Sequence, residues 1–417
     1  MEKAKRIFVV VAVALLAALL LSCRPAPLVE EAEEAKEARI VYMTNPWGVP
    51  SKELLDEFKK ETGIEVEVTV IKDDRALKDK VITATVGRVA PADAIYVGIS
   101  NLGILSRGGS LVPLNQMVRK DLLDGVEGSE LFKVEGQLYA VPVYQQMVML
   151  CYDAAALQEI GASVPTTWQE LTEVARELKE RGVKKYPITF GARSWSWYLM
   201  ALSMGDPLFD KELNPTFNKP GSGGLRAMEL LANFFKEELI SPDRVTDVNP
   251  HPAFWAGEAV FHQAWQGALA VSNDPARSKV APNARYMLLP DKHYTWNLPA
   301  GIGISAFTDK REEVLKFIEW FTTDKVQLSL YDDFGMFPAS KSSFARLGEE
   351  GKIEGYELMT EQAKYVWAIP YDALWFPEFD VEVTETVKRV VRGEITPQDG
   401  IDYLAEYVLR LKKEYGD

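Results

Sequence analysis

Apolar and polar positions change rhythm several times along the chain, and each rhythm predicts an element. The first is Ile7 to Leu21, 15 residues without a charge behind Lys3, Lys5 and Arg6. Ile40-Val41-Tyr42-Met43 then reads as a short apolar strand that breaks at Asn45-Pro46-Trp47-Gly48. Ser51 is placed to cap a helix carrying Leu54, Leu55 and Phe58 on one face. From Ile64 to Val70 apolar residues alternate with Glu65, Glu67 and Thr69, the period of a half-covered strand. A helix near Lys78 to Val86 and a strand at Ala94 to Val97 follow. This β-α-β-α-β opening predicts an open sheet covered by helices.

Further along, Gly136 to Pro142 reads as a strand leaving a turn, and apolar chain continues to Tyr152. Pro165-Thr166-Thr167-Trp168-Gln169-Glu170 starts a helix in which Thr167 and Glu170 form a capping box. Leu171, Val174, Ala175 and Leu178 supply its inner face. Helix is predicted again from Leu225 to Leu239, and the stripe Val314, Leu315, Phe317, Ile318 and Phe321 predicts one near residues 310–330. Gly221-Ser222-Gly223-Gly224 reads as a flexible loop. No repeat of fixed period is visible.

The first apolar run is short for a permanent span, because crossing hydrocarbon takes roughly 20 residues. With its basic start it has the dimensions of a signal-peptide core, placing a signal peptide at residues 1–22. It ends Leu20-Leu21-Ser22-Cys23, which resembles the bacterial lipobox and implies that Cys23 is acylated and becomes the mature N-terminus. The alternative is an uncleaved anchor helix, and either reading leaves the remaining chain outside the cytoplasm. Residues 23–38 then form a linker: Arg24 to Ala38 holds two prolines, a run of acids and little apolar content, so it should not pack.

Composition narrows the function. The formal charge is −14, and residues 1–22 carry +2 (Lys3, Lys5 and Arg6 against Glu2), so the remainder sits near −16. That balance argues against nucleic acid or an anionic surface as partner. Of two cysteines, Cys151 lies in an apolar run and reads as a buried thiol, so no disulfide is expected. Three scattered histidines, His251, His262 and His293, give no metal site, and no phosphate-cradling loop or nucleophile elbow is present. Carboxylate pairs such as Glu378 and Asp380 occur, but a sequence carries no separation between them. No catalytic residue, metal or cofactor is therefore assigned.

Several segments together resemble one family. Asp93-Ala94-Ile95-Tyr96-Val97, Gly109 to Leu114, Gly136 to Pro142, Pro165 to Trp168, Phe254 to Val260 followed by Trp265, and Gly301 to Ser305 match, in order, motifs of the extracellular solute-binding proteins of ABC importers. The resemblance is to the maltose-binding-like, sugar-carrying group. Glu258 replaces a usual Lys, and Val260-Phe261 replaces Ala-Met, where helix packing would be affected. The resemblance implies an α/β fold of two lobes with the ligand cleft between them. By analogy the first lobe takes residues 39–143 and 297–332, and the second takes 144–296 and 333–417.

Sugars offer flat C–H faces and hydroxyls, so their sites need aromatic platforms beside polar side chains. Ten tryptophans and sixteen tyrosines are available. Asn45 and Trp47 follow the first strand, and Ser100 and Asn101 follow the Ala94–Val97 strand, at the ends where open sheets bind ligands. Tyr144 and Gln146 lie beyond the Pro142 crossing, and Trp195 and Trp197 sit in an aromatic cluster. Trp265, Asn297 and Trp375 complete the expected ligand contacts, with Arg193 as a further hydroxyl partner. Trp168 and Trp320 read as structural, and Asp93 as a strand-end residue. The expected partners are a carbohydrate and the subunits of an ABC permease, with the membrane reached through a lipid only and the protein a monomer. Alternatives are a polyol, glycerol phosphate or polyamine ligand, a secreted carbohydrate-active enzyme, or the binding subunit of a sensor.

Overall fold

The structure is a computed structural model that describes residues 38–247 and 249–416. The signal peptide, Cys23 and the linker up to residue 37 lie outside the described residues. Arg39–Asp417 forms one compact unit. No helix among the described residues is long and apolar enough to cross a membrane.

The expected opening is present. β1 (Ala38–Thr44), the helix Lys52–Thr62, β2 (Ile64–Val70), the helix Asp74–Val86 and β3 (Ala94–Gly98) follow one another. Ser51 accepts from Leu54 N as its position predicts, and Asp73 does the same for Ala76 N, so the second helix starts four residues before Lys78. A two-stranded hairpin, β4 (Lys133–Val134) and β5 (Gln137–Leu138), precedes β6 (Val141–Gln145). The chain continues through β7 (Val148–Asp153), β8 (Phe261–Trp265), β9 (Ala284–Met287), β10 (Ala300–Ile304) and β11 (Phe337–Pro338).

These strands divide between two main sheets. One has six strands in the order β11-β6-β10-β3-β1-β2, with β1 parallel to β3 and β10 antiparallel to β3 and β6. The other has three, β8-β7-β9, all antiparallel. The apolar run from Val141 to Tyr152 is therefore two strands in two different sheets. The chain leaves the larger sheet at Gln146-Met147, not at Val143/Tyr144, because Tyr144 still pairs with Ala300 and Pro338, and Gln145 with Phe337. The same pairing returns Phe337–Pro338 to the larger sheet, in a stretch expected on the other side.

Between the sheets the crossing segments run side by side. Leu298 N donates to Gln146 O at 2.6 Å, and Met147 bridges to Asn297. Gly267, just after β8, meets Gly335, just before β11, so closely that a Cβ at 267 would collide with the Gly335 carbonyl.

Against the larger sheet pack Phe58, Phe317 and Phe321, with Tyr42 5.0 Å from Phe317 between ring centroids. The predicted helix at 310–330 is two helices, Arg311–Phe321 and Asp324–Phe334. They part where the Thr322 and Thr323 hydroxyls donate back to Glu319 O and Trp320 O. The Thr167–Glu170 capping box forms as read, and its helix runs from Trp168 to Glu180. Gly221–Gly224 is not a loose loop: Ser222 caps the helix Gly223–Lys236, and Gly224 lies flush against Phe217. Helices Phe376–Val391 and Pro397–Tyr415 pack on each other and on that helix. Cys151 is buried and unpaired with another cysteine.

Candidate ligand-binding cleft

The starts of the helices Asp74–Val86 and Ile99–Arg107 make one wall of a cleft of about 490 Å³. Asp74, Lys78, Ser100 and Asn101 line that wall. The opposite wall comes from the start of the helix Ser194–Ser203, the 371–374 loop and the first turns of the helix Phe376–Val391. It presents Trp195, Tyr371, Phe376 and Asp380. The volume falls within the roughly 300–1,000 Å³ usual for ligand pockets.

On the first wall Asp74 is held from two sides. Asn45 Nδ2 donates to its carboxylate, and Asn101 Nδ2 donates to its backbone carbonyl at 3.0 Å. Burial pushes the Asp74 carboxyl up to about 6, against the opposing pull of the Asn45 bond. Trp47 and Tyr144 join a hydrogen-bonded chain nearby. Trp47 Nε1 donates to Tyr96 Oη at 3.0 Å, Tyr96 donates to Tyr144 at 2.6 Å, and Gln146 Oε1 lies 3.5 Å further on. Trp47 and Tyr144 also line a hole of about 10 Å³.

The second wall is a run of aromatic rings. Trp195 stands edge-on to Trp296 at 6.0 Å, Trp296 meets Tyr198 at 6.1 Å, and Tyr371 meets Phe376 at 5.1 Å. Arg193 lies over the Trp195 ring at 5.1 Å. Burial lowers the Arg193 guanidinium to about 10 and raises the Asp380 carboxyl. Behind this wall His251 and His262 share a 3.2 Å hydrogen bond, and burial holds both imidazoles well below their ordinary value.

On the second wall buried polar side chains are set against one another, Ser194 and Tyr198 against Asp380 and Tyr371 against Trp296. Polar groups beside aromatic faces suit a ligand rich in hydroxyls.

The expected site residues separate under this geometry. Ser100, Asn101 and Trp195 line the cleft, and Asn45 holds a residue that does. Gln146 and Asn297 sit at the crossings. Trp265 is half-buried, packed against His251 and Trp255, apart from the lining residues. Trp197 and Trp375 are core residues, both 0% exposed. Trp197 packs on Phe217 and donates to Gly224 O at 2.8 Å, and Trp375 is enclosed by Phe209 and Phe379. Two structural readings hold: Trp168 Nε1 donates to Ser203 inside the core, and Asp93 accepts from Val41 N and Thr308. Sequence reasoning missed Asp74 and Tyr371 and left Asp380 without a role. A charged residue opening a helix is the one local signal that Asp74 offered.

The family of bacterial extracellular solute-binding proteins matches residues 53–359. The multiple sugar-binding protein of Streptococcus mutans is 22% identical over 390 residues, which cover 87% of this chain and 89% of that one. The mannitol-binding protein of Pseudomonas aeruginosa is 22% identical over 269 residues, 61% of each chain. The structure of maltose-bound MalE3 of T. maritima superposes with a TM-score of 0.80 at 19% identity, covering 90% of this chain and 100% of that one. That likeness establishes a shared two-lobed α/β fold, with a sheet flanked by helices in each lobe. The chain belongs to the family of bacterial extracellular solute-binding proteins.

Proposed function

We propose that this protein captures a carbohydrate outside the cytoplasm and delivers it to an ABC permease, working as a monomer without catalysis. The observation that carries this reading is the pairing, in one cleft, of the Trp195, Tyr371 and Phe376 rings with Asp74, Asn101 and Asp380. Aromatic faces take the C–H surface of a sugar, and the polar groups take its hydroxyls. The six-stranded sheet carries one lobe and the three-stranded sheet the other, with hinges at 146–147 and 297–299. Ligand stabilises the closed arrangement, which the permease distinguishes from the open one. The sugar-binding relative supports this class of ligand, and the mannitol-binding relative makes a polyol the second reading.

Cleavage before Cys23 and acylation of that cysteine tether the protein to the membrane through residues 24–38. Cys23→Ala should move the protein from the membrane fraction to the soluble one. Retention of the variant in the membrane would favour an uncleaved anchor. For the ligand, a thermal-shift screen against mono- and oligosaccharides and polyols is the test. Ligand at 100 times its dissociation constant stabilises by about 2.7 kcal/mol, a readable shift. A blank across carbohydrates and polyols, with a shift for a polyamine or glycerol phosphate, would overturn the assignment.

A further inference from the structure

We infer that the cleft has a second, outer subsite, built on Tyr415 of the C-terminal helix with Val381, Glu378 and Arg75, which takes the outer unit of an oligosaccharide. This rests on the cleft being the ligand site, and it makes chain length the feature of the ligand that the outer end reads.

The lining of the cleft changes along its length. Tyr371 and Phe376 are nearly covered, while Val381 and Tyr415 are 48% and 43% exposed. On the helix Phe376–Val391 these linings belong to different faces: Asp380 lies about 40° from Phe376 around the axis, and Glu378 and Val381 about 140° or more. The cleft therefore wraps from a covered face of that helix to an open one. Tyr415, in the last turn of the helix Pro397–Tyr415, is held at the open end. Its Oη donates to Glu378 Oε2 at 3.3 Å, and Tyr407 Oη donates to Glu378 Oε1 at 2.8 Å. A ring fixed in advance costs a ligand little ordering entropy, and apolar surface left in water at a pocket is surface for a ligand to cover.

The first wall supplies the donor. Arg75 lines the cleft from the first turn of the helix Asp74–Val86, where the helix dipole disfavours a cation. It is exposed and makes no hydrogen bond or ion pair with any described residue, whereas Lys78 beside it pairs with Asp79 at 3.7 Å. Nothing in the fold uses this guanidinium. Its fork of N–H donors fits adjacent hydroxyls of a sugar ring. A pyranose at this end lays its C–H face on Tyr415 and Val381, donates a hydroxyl to Glu378 and accepts from Arg75. A single ring held at Trp195 and Tyr371 leaves the outer end empty, and a further unit of the same chain fills it.

The test is calorimetry on the purified protein and on Tyr415→Ala, Tyr415→Phe and Arg75→Gln. The probes are glucose, maltose, maltotriose, cellobiose, cellotriose, mannose, mannobiose, mannotriose and, as an acyclic ligand, mannitol. In at least one series the wild type should bind the trisaccharide about tenfold or more tightly than the monosaccharide. Tyr415→Ala should cut that ratio to about threefold or less, with the monosaccharide affinity and the unliganded melt unchanged. Tyr415→Phe keeps the ring and should keep the ratio. Arg75→Gln removes no bond within the fold and should lower the ratio about threefold, so the test stands even where a Tyr415 variant folds poorly. A wild type that gains nothing from chain length overturns the subsite and leaves the carbohydrate reading standing. So do Tyr415→Ala and Arg75→Gln proteins that keep the wild-type ratio, whether or not all probes weaken in equal measure. A wild type that binds none of the probes overturns both.

Discussion

A methyl group at Gly103 should weaken ligand binding without weakening the fold. Gly103 is buried in the helix Ile99–Arg107, where the first wall of the cleft touches the 371–374 loop of the second. A Cβ there would lie 2.7 Å from the Asp372 carbonyl oxygen and 3.0 and 3.1 Å from its C and Cα. All three are backbone atoms, so no rotamer change relieves the contact. The neighbouring Arg107 donates to the same carbonyl, which ties the two walls together at this point. An ordinary close carbon–oxygen approach is about 3.3 Å, so the methyl demands a separation of about 0.6 Å. Within the helix itself Ala is better than Gly by about 0.5–1 kcal/mol, which offsets part of the lost contact. Gly103→Ala should therefore melt within a few degrees of the wild type when unliganded, yet bind about tenfold more weakly, about 1.4 kcal/mol. Gly125→Ala, where nothing lies within 4 Å of the new atom, is the control and should bind normally. Calorimetry with the ligand found by the screen decides the matter. A Gly103→Ala protein that binds as tightly as wild type would refute the claim that this contact belongs to the liganded arrangement.

Trp197→Ala removes a fully buried ring together with the donor to Gly224 O, and should cost about 3–5 kcal/mol in urea unfolding. A loss below about 1 kcal/mol would remove Trp197 from the core. Asp74→Asn should change the pH dependence of stability. Because burial lifts this carboxyl from 3.8 to about 6, the folded state holds the proton more tightly than the unfolded chain does. Its ionisation therefore costs stability as pH rises from about 4 to above 6, and the variant escapes that cost, by at most about 3 kcal/mol. Unfolding curves at about pH 4 and pH 7.5 should show the variant gaining on wild type at the higher pH, and a constant difference would contradict the assigned burial.

Local rhythm carried much of the fold. The alternation in β2 and the Thr167–Glu170 box each state their element within a few residues, because pleat and helix cap are short-range geometry. The crossing at Gln146-Met147 was hidden by continuity: two buried strands in different sheets read as one apolar run from Val141 to Tyr152. Phe337–Pro338 is a two-residue strand recognisable only through its partner β6.

The site was less legible than the fold. Trp195 and Trp197 stand two residues apart on one helix, about 200° around its axis, so one faces the cleft and the other the core. Composition cannot say which. Asp74 and Asp380 are 306 positions apart in the numbering and line the same cleft only because the chain crosses between sheets and returns. Their joint role exists in the tertiary structure alone.

The central claim is that the cleft beside Trp195 holds a carbohydrate, and calorimetry of wild type and Trp195→Ala against the carbohydrate and polyol panel tests it most directly. The account predicts saturable binding of a neutral sugar or polyol by the wild type. It also predicts at least tenfold weaker binding by Trp195→Ala, whose unliganded melt should match the wild type because the ring is only partly buried. Wild-type affinity in Trp195→Ala would place the ligand elsewhere and contradict it.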